Sequence, residues 1–310
     1  MTAPRKFAVI MNPSAGGGAA RSAYGKCAAL LSSAGCAWDL HETTRPGDAR
    51  RLARDLASQS APSMLVAAGG DGTVNEVASG ILDSEASTPL GILPLGTGND
   101  FGRLHGAISI EQAVGILARG RSRRVDAIRF QSRINGRPCT SFALLFVSSG
   151  FVGNLLKATT PSVKRVFGRR FSYSVGFLKA WLSFAASSMQ VIHDSGSHSG
   201  ECLLVAACNS EYAGGHGFRP APGAIMDDGQ LELLIIASQG RWRMLPRFIR
   251  VTRGTHVGLP GVHYMRITKM KLESAAGAGV QADGDLFGEP PLELEVKQRA
   301  LNVLSDSPAG

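Results

Sequence analysis

Long apolar runs are missing from this chain. No stretch of about 18 consecutive apolar residues occurs, and the most apolar candidate, residues 173–189, is interrupted by Lys179 and several serines. A helical membrane span is not expected. Phe7 to Met11 is too short for the apolar core of a signal peptide and reads as a strand. Cysteine is scarce as well. Cys27, Cys36, Cys139, Cys202 and Cys208 form an odd, scattered set in apolar stretches, which argues for reduced thiols in the cytoplasm and against a disulfide framework. His193, His198 and Cys202 do not repeat any recognised zinc spacing. Aromatic residues make up only 6%, and with neither an aromatic RNA motif nor a compact basic tract, no nucleic-acid partner is expected. The P-loop pattern G-x-x-x-x-G-K-[ST] is absent, as are internal repeats and low-complexity segments.

Acidic residues are the last shortage. The chain has 24 Asp and Glu against 33 Lys and Arg, a formal net charge of +9. A basic surface without a membrane span fits peripheral contact with anionic lipid headgroups, and a basic surface with no partner is the plainer alternative. The expectation is a cytoplasmic protein that touches a membrane from outside, with a homodimer left open. A chain of 310 residues with 44% hydrophobic content is long enough for two domains of ordinary size and a substantial core.

Glycine is abundant, and its placing is informative. Met64 to Ala68 is a short apolar run with the character of a buried parallel strand. Gly69 and Gly70 let the backbone turn without a Cβ clash; Asp71, Gly72 and Thr73 follow, and Val74, Val77, Ala78, Ile81 and Leu82 have helical spacing. Such a corner presents free N–H groups and the positive end of a helix dipole, which suits an anion. Residues 90–103, L-G-I-L-P-L-G-T-G-N-D-F-G-R, repeat the arrangement: an apolar run ends at Pro94, and Gly96, Thr97, Gly98, Asn99 and Asp100 form a turn dense in donors. The stretch V-I-M-N-P-S-A-G-G-G at 9–18 is the third. In an open α/β sheet these loops meet at the carboxyl edge of the strands, where ligands bind.

The order of the elements supports that reading. Strands over Lys6 to Met11, Ala37 to Leu40, Met64 to Ala68 and Leu90 to Leu93 alternate with helical stripes such as Ala20, Tyr24, Cys27 and Leu31. A second stripe, Ala49, Leu52, Ala53, Leu56 and Ala57, has Asp48 placed as its cap. Ser109-Ile110-Glu111-Gln112 is a capping box. Alternation to about residue 122 predicts a parallel sheet with helices on both faces. Beyond it, Arg123 to Gln131, Pro138 to Val147, Cys202 to Cys208, Leu231 to Ala237, His263 to Glu273 and Leu292 to Val296 are strand-like and separated by turn residues, the signature of an all-β layer domain. The expected domains are 1–122, a nucleotide-binding α/β domain, and 123–299, a β domain for the substrate. Residues 300–304 return to the first domain, and 305–310 are a disordered tail.

G-G-D-G-T, then P-L-G-T-G-N-D-F about twenty residues on, after an N-terminal N-P-x-x-G, resembles the diacylglycerol kinase catalytic family, which includes bacterial diacylglycerol kinases, YegS-type lipid kinases and sphingosine kinases. D-D-G-Q-L-E-L at 227–233 and D-G-D at 283–285 extend the resemblance over nearly the whole chain. It implies a fold of an NAD kinase/diacylglycerol kinase-like α/β domain with a parallel sheet plus a C-terminal β-sandwich. It also implies an ATP- and Mg2+-dependent transfer to a lipid hydroxyl, that of diacylglycerol or a related lipid. NAD kinases share G-G-D-G-T but not the second motif. A catalytically weak lipid- or nucleotide-binding regulator is the reading from another class.

Phosphoryl transfer needs phosphate positioning, a divalent metal and a base for the attacking hydroxyl. Gly69, Gly70, Asp71, Gly72 and Thr73, with Gly96, Thr97, Gly98 and Asn99, can supply amide donors. Asp71 and Asp100 can meet a metal or water, or else make local Asx turns. Positions matching Asn12 and Thr43 contact the nucleotide in the family; Asn75 joins the candidate set, and Glu76 can favour its own helix dipole. The resemblance places Asp228 with the carbonyls of Ile225 and Gln230 around a structural Mg2+; a plain turn is the alternative. It makes Asp285 the general base, although the family usually has Glu there, one methylene longer. The first loop, S-A-G-G-G, lacks the family's frequent lysine, for which Arg21 or Arg45 could compensate. Residues 164–184 mix basic and aromatic residues; Lys164 to Phe171 could lie on a membrane and Phe177 to Phe184 reads as a covering helix. Arg241, Trp242, Arg243, Arg247 and Arg250 admit the same two readings.

Overall fold

The computed structural model describes residues 6–59, 62–158, 181, 186–213, 218–238, 241–274 and 278–306. The chain divides into two compact units, Met1–Ala127 with Gln298–Gly310, and Ile128–Lys297. The first is an α/β domain with a parallel sheet and the second a β-sandwich.

In the first unit the order is β1 (Lys6–Met11), α1 (Ala20–Ser33), β2 (Ala37–Glu42), α2 (Asp48–Ala57), β3 (Met64–Gly69), α3 (Asp71–Asp83), β4 (Leu90–Pro94), α4 (Asp100–Leu104) and α5 (Ile110–Arg119). The sheet runs β4-β3-β1-β2, all parallel. All six residues of β3 are buried, as a central parallel strand covered on both faces requires; β2, at the edge, is largely exposed. Burying side chains such as Phe7, Ile10, Leu65 and Leu93 contributes roughly 1.5–3 kcal/mol each before entropy is counted. The register fixes the site. Met11 pairs with Glu42 on one side and Ala68 on the other, and Gly69 pairs with Pro94. The carboxyl ends of four strands are therefore level, and chain order reverses between β1 and β3, the crevice in which such sheets bind ligands.

The second unit takes in most of β5 (Ser122–Ile134), then β6 (Arg137–Ala143), β7 (Phe146–Gly150), α6 (Phe151–Ala158), β8 (Ser187–His193), β9 (Gly196–Cys208) and β10 (Leu231–Ala237). After these come α7 (Arg241–Thr252), β11 (Val262–Ile267), β12 (Lys269–Ser274), β13 (Val280–Ala282), β14 (Asp285–Leu286) and the first half of β15 (Glu289–Leu304). Its pairings are antiparallel, among them β5–β6, β7–β9, β8–β9, β9–β10 and β12–β15. Ile128, Phe130, Val191, Val205, Leu233, Leu272, Leu292 and Leu294 form its core. Leu301 and Val303, from the far half of β15, are buried in the first unit, where Val303 pairs with Leu90.

Several expectations need correction. Asp48 is not the cap of α2; Gly47 holds that position in a left-handed conformation. The single strand expected over Pro138 to Val147 is broken at Leu144 and Leu145, and that over His263 to Glu273 at Thr268. Side chains from distant segments take the freed amides: Asp283 binds the first break and Asp194 the second. Ser305 and Asp306 are not disordered. Ser305 donates its N–H to Arg121, and Asp306 pairs with Arg119. The rest of the expected tail, Lys164 to Phe171 and most of Phe177 to Phe184 lie outside the described residues. Arg241 to Arg250 is helical, within α7. All five cysteines are free, and burial pushes the Cys27 and Cys202 thiols up to about 11, which makes them inert. No helix among the described residues is long and apolar enough to cross a membrane.

Candidate functional site

Three strand ends and the loop after β2 enclose a cavity of about 420 Å3 in the first unit, within the usual range for small-molecule sites. Of the nucleotide residues expected from sequence, Asn12, Thr43, Gly70, Gly72, Thr73, Gly96 and Thr97 line it. Gly69, Asp71, Asn75, Gly98, Asn99 and Asp100 do not.

The two glycine loops touch through their backbones. A Cβ on Gly96 would fall inside the van der Waals envelope of Gly70 Cα and 2.9 Å from its nitrogen. A Cβ on Gly98 would lie 2.8 Å from Asp71 Oδ2, and one on Gly69 would strike the Thr73 side chain. The motif glycines thus allow close approach. Asn99, at φ 56°, closes its own loop: its side chain accepts from Gly96 N–H at 3.1 Å and donates to the Gly96 carbonyl at 3.0 Å. Gly96→Ala should therefore force the loops apart, at a cost of at least about 1–3 kcal/mol. A lowered melting temperature together with lost nucleotide affinity is the expected result, measured by calorimetry and titration.

Asp71 is the first residue of α3, not part of the turn before it; the turn ends at Gly70, which caps the helix in an extended conformation. Its Oδ1 accepts the Phe101 N–H at 3.2 Å and so caps α4, tying one glycine loop to the other. Burial, above all, raises its pKa and the Asp100 carboxylate adds to this, while the Phe101 amide works against both. Backbone amides of residues 99–101 already face the Asp71 carboxylate; a hard divalent cation beside Asp71 and Asp100 would reverse the repulsion between the two carboxylates. The residues fit Mg2+.

Behind the loop after β2, Glu76 reaches from α3 and accepts the N–H groups of Gly47 and Ala49, both at 3.1 Å. It caps α2 rather than its own helix. Asp48 turns backward: its Oδ2 accepts the Thr44 hydroxyl at 2.6 Å and the amides of Thr44 and Arg45, and those bonds, Thr44 first, hold its carboxyl well below the usual range. The Thr43–Arg45 loop is thereby fixed at the cavity wall. Arg45 lines the cavity, whereas Arg21 pairs with Glu42 beside the first loop. Thr44 was not singled out from the sequence, Arg45 only as a substitute for the first loop's missing lysine, and Glu76 only for its own helix. The T-T-x-x-x-D spacing, with its short-range Asx-type bonds, was the available signal for Thr44 and Asp48; the Glu76 contacts, 27 and 29 residues away in sequence, left none.

His105, at the end of α4, is fully buried against Phe101, with ring centroids 4.6 Å apart. Neither ring nitrogen has a hydrogen-bond partner among the described residues. Burial, with Arg123 adding to it, pushes its pKa down to about 3. The unfolded chain takes up a proton near pH 6.5 and the folded one does not, so stability is full above that pH and falls as pH drops toward 3. The slope is at most about 1.4 kcal/mol per pH unit. His105→Phe should flatten this slope in melts recorded from neutral to mildly acid pH.

In the second unit, Asp283 is fully engaged. Its carboxylate accepts the amides of Leu144, Leu145 and Phe146 at 2.7, 2.9 and 2.9 Å. It sets the hairpin that carries Asp285, which is exposed on β14. Asp228 makes the turn anticipated as the alternative, its Oδ1 accepting the Gln230 N–H at 3.0 Å. Oδ2 remains for an ion, and with the carbonyls of Ile225 and Gln230 the donor set would be all oxygen, as Mg2+ prefers. Arg266 lies 3.9 Å from that oxygen and would compete for it. A hollow of about 520 Å3 elsewhere in this unit is lined by Arg129, Lys271, Glu293 and Glu295, whose charges pair with one another or with near neighbours.

Residues 6–130 match the family model described as diacylglycerol kinase catalytic domain, and residues 146–305 match that of the YegS C-terminal NAD kinase beta sandwich-like domain. A diacylglycerol kinase of Staphylococcus saprophyticus is 28% identical over 291 residues, 93% of this chain and 91% of that protein. The crystal structure of a diacylglycerol kinase from Bacillus anthracis has a TM-score of 0.72 at 22% identity, covering 99% of this chain and 98% of that one. Yeast NADH kinase, solved with NADH, has a TM-score of 0.52 at 11% identity, covering 99% and 85%; these two likenesses concern the fold.

Proposed function

We propose, since this chain belongs to the diacylglycerol kinase family of lipid kinases, that it transfers the γ-phosphate of ATP to the hydroxyl of diacylglycerol or a related lipid, with Mg2+. The observation that carries this reading is the level meeting of three glycine-rich strand ends in one cavity, with Asp71 at the head of α3 bonded to the Gly96–Asn99 loop's helix at Phe101.

In this reading Asn12, Thr43, Gly70, Gly72, Thr73, Gly96 and Thr97 receive the nucleotide. Loop amides and the N-terminus of α3 face its phosphates. Asp71 would hold Mg2+, which when bound neutralises charge on the transferred phosphoryl group. Asp228, with Ile225 and Gln230, would hold a second, structural ion. Asp285 takes the proton of the lipid hydroxyl as that oxygen bonds to the γ-phosphorus, and the bond to the bridging oxygen breaks to release ADP. Asp283 does not compete for this role, because three amides already occupy its carboxylate.

An assay with γ-labelled ATP against diacylglycerol, sphingosine, ceramide, phosphatidylglycerol, undecaprenol and NAD tests the reading. Label in a lipid phosphate, with diacylglycerol or a close relative preferred, is expected. Label in NADP alone would replace the reading with an NAD kinase activity, and no transfer to any acceptor would favour a binding regulator.

A further inference from the structure

The β5–β6 hairpin ends in Arg133-Ile134-Asn135-Gly136-Arg137. Ile134 pairs with Arg137, and Asn135 and Gly136 form a two-residue turn with φ of 51° and 76°, the left-handed pair that matches strand twist. Ile134 is 38% exposed at this tip, and both arginines are exposed. Packed against the same strand is the β13–β14 hairpin. Ser132 donates its hydroxyl to the Phe287 carbonyl at 2.6 Å, and the Phe287 ring meets Phe130 edge-on at 5.0 Å. The backbone of Gly288 lies so close to Arg133 and Ile134 that a Cβ could not be accommodated. This second hairpin carries Asp285 and Leu286, the latter 42% exposed.

The two hairpins thus present two aliphatic side chains, two guanidinium groups and the candidate base on neighbouring segments of one unit. Charge along the sequence is just as uneven. Residues 127–137, which form the β5–β6 hairpin's tip and flanks, contain Arg129, Arg133 and Arg137 and no Asp or Glu. Aliphatic tips beside arginines match the boundary of an anionic bilayer, where the first enter the acyl edge and the second reach phosphate.

We infer that these paired tips, Ile134 with Arg133 and Arg137 beside Leu286, are where the protein docks on an anionic lipid bilayer. Docking there holds Asp285 at the depth of the headgroups, where a lipid hydroxyl lies. The purpose so assigned rests on the lipid-kinase reading; the docking itself does not.

Flotation of the full chain on vesicles tests it, using mixed phosphatidylglycerol and phosphatidylcholine against phosphatidylcholine alone, at low and high salt. Wild type is expected to float with the anionic vesicles and to be released by salt. R133E/R137E should partition about thirtyfold less or worse, since each basic residue near such a surface contributes about fivefold. Ile134→Ser should weaken binding without any change in charge. R51E/R54E, the same charge change on α2, should bind as wild type, and circular dichroism melts check that every variant is folded. Wild-type partitioning by folded R133E/R137E, equal loss in the α2 control, or no flotation of wild type would each overturn the inference. If flotation depends on Arg133 and Arg137 yet no lipid is phosphorylated, the docking surface stands and the lipid-kinase reading falls. Lipid phosphorylation without hairpin-dependent flotation gives the reverse.

Discussion

Asp71→Asn is expected to lower turnover about 10³-fold or more while leaving the melting temperature unchanged. The asymmetry comes from what each oxygen does. Oδ1 accepts the Phe101 amide and caps α4, and an asparagine oxygen can keep that bond, so the junction of the two glycine loops survives. What disappears is the negative charge proposed to hold Mg2+, and metal stabilisation of a phosphoryl transition state amounts to several kcal/mol. Turnover at saturating ATP and Mg2+, recorded beside a thermal melt, checks both halves. Near-wild-type turnover would remove Asp71 from the reaction.

Asp285→Asn is the second large effect, a loss of about 10² to 10⁴ in turnover, the usual contribution of a general base. The Michaelis constant for ATP should change little, because a general base acts on the lipid hydroxyl and not on the bound nucleotide. Asp285→Glu, with the residue usual in the family, should keep substantial activity. The rival account, a turn residue with Asp283 as the base, is weakened by the three amides on Asp283. It nevertheless makes a distinct forecast: Asp285→Asn nearly silent and Asp283→Ala unfolded or inactive. Turnover of the three variants on one accepted lipid decides between them.

Much of this arrangement could be read from the sequence because its signals are local. A buried strand followed by glycines and a 3.6-residue stripe is a property of one continuous stretch, Met64 to Leu82, and β3 with α3 follows it. The capping box at Ser109 likewise closes on itself: Ser109 accepts from Gln112 N–H while the Gln112 side chain returns the bond. The errors fall where a distant side chain replaces a local rule. Asp48 has the composition of a helix cap, but Glu76 had already taken the α2 amides from another helix, leaving Asp48 to bind Thr44 and Arg45. Pro138 to Val147 is apolar enough for one strand, yet Asp283 takes the amides of Leu144 and Leu145, where the strand breaks, and that of Phe146, where β7 begins. Helix α4, five residues long, has too few turns to show a period, and it depends on Asp71 from another helix for its cap.

Strand β15 has a consequence for how the chain is made. Its far end places Leu301 and Val303 in the core of the first unit and pairs beside Leu90, while Arg299 N–H binds the buried Asp126 carboxylate at 2.6 Å. On the ribosome, strands β1 to β4 emerge well before this closing segment, which lies beyond the whole of the second unit in the sequence. A domain whose boundary is sealed by contacts so remote in sequence folds late and slowly. Until residues 298–306 arrive, the flank of β4 is a bare strand edge, open to chaperones or to a second nascent chain. The glycine loops at Gly70 and Gly96, one strand-length from that edge, thus gain their lasting support only once the second unit has been made.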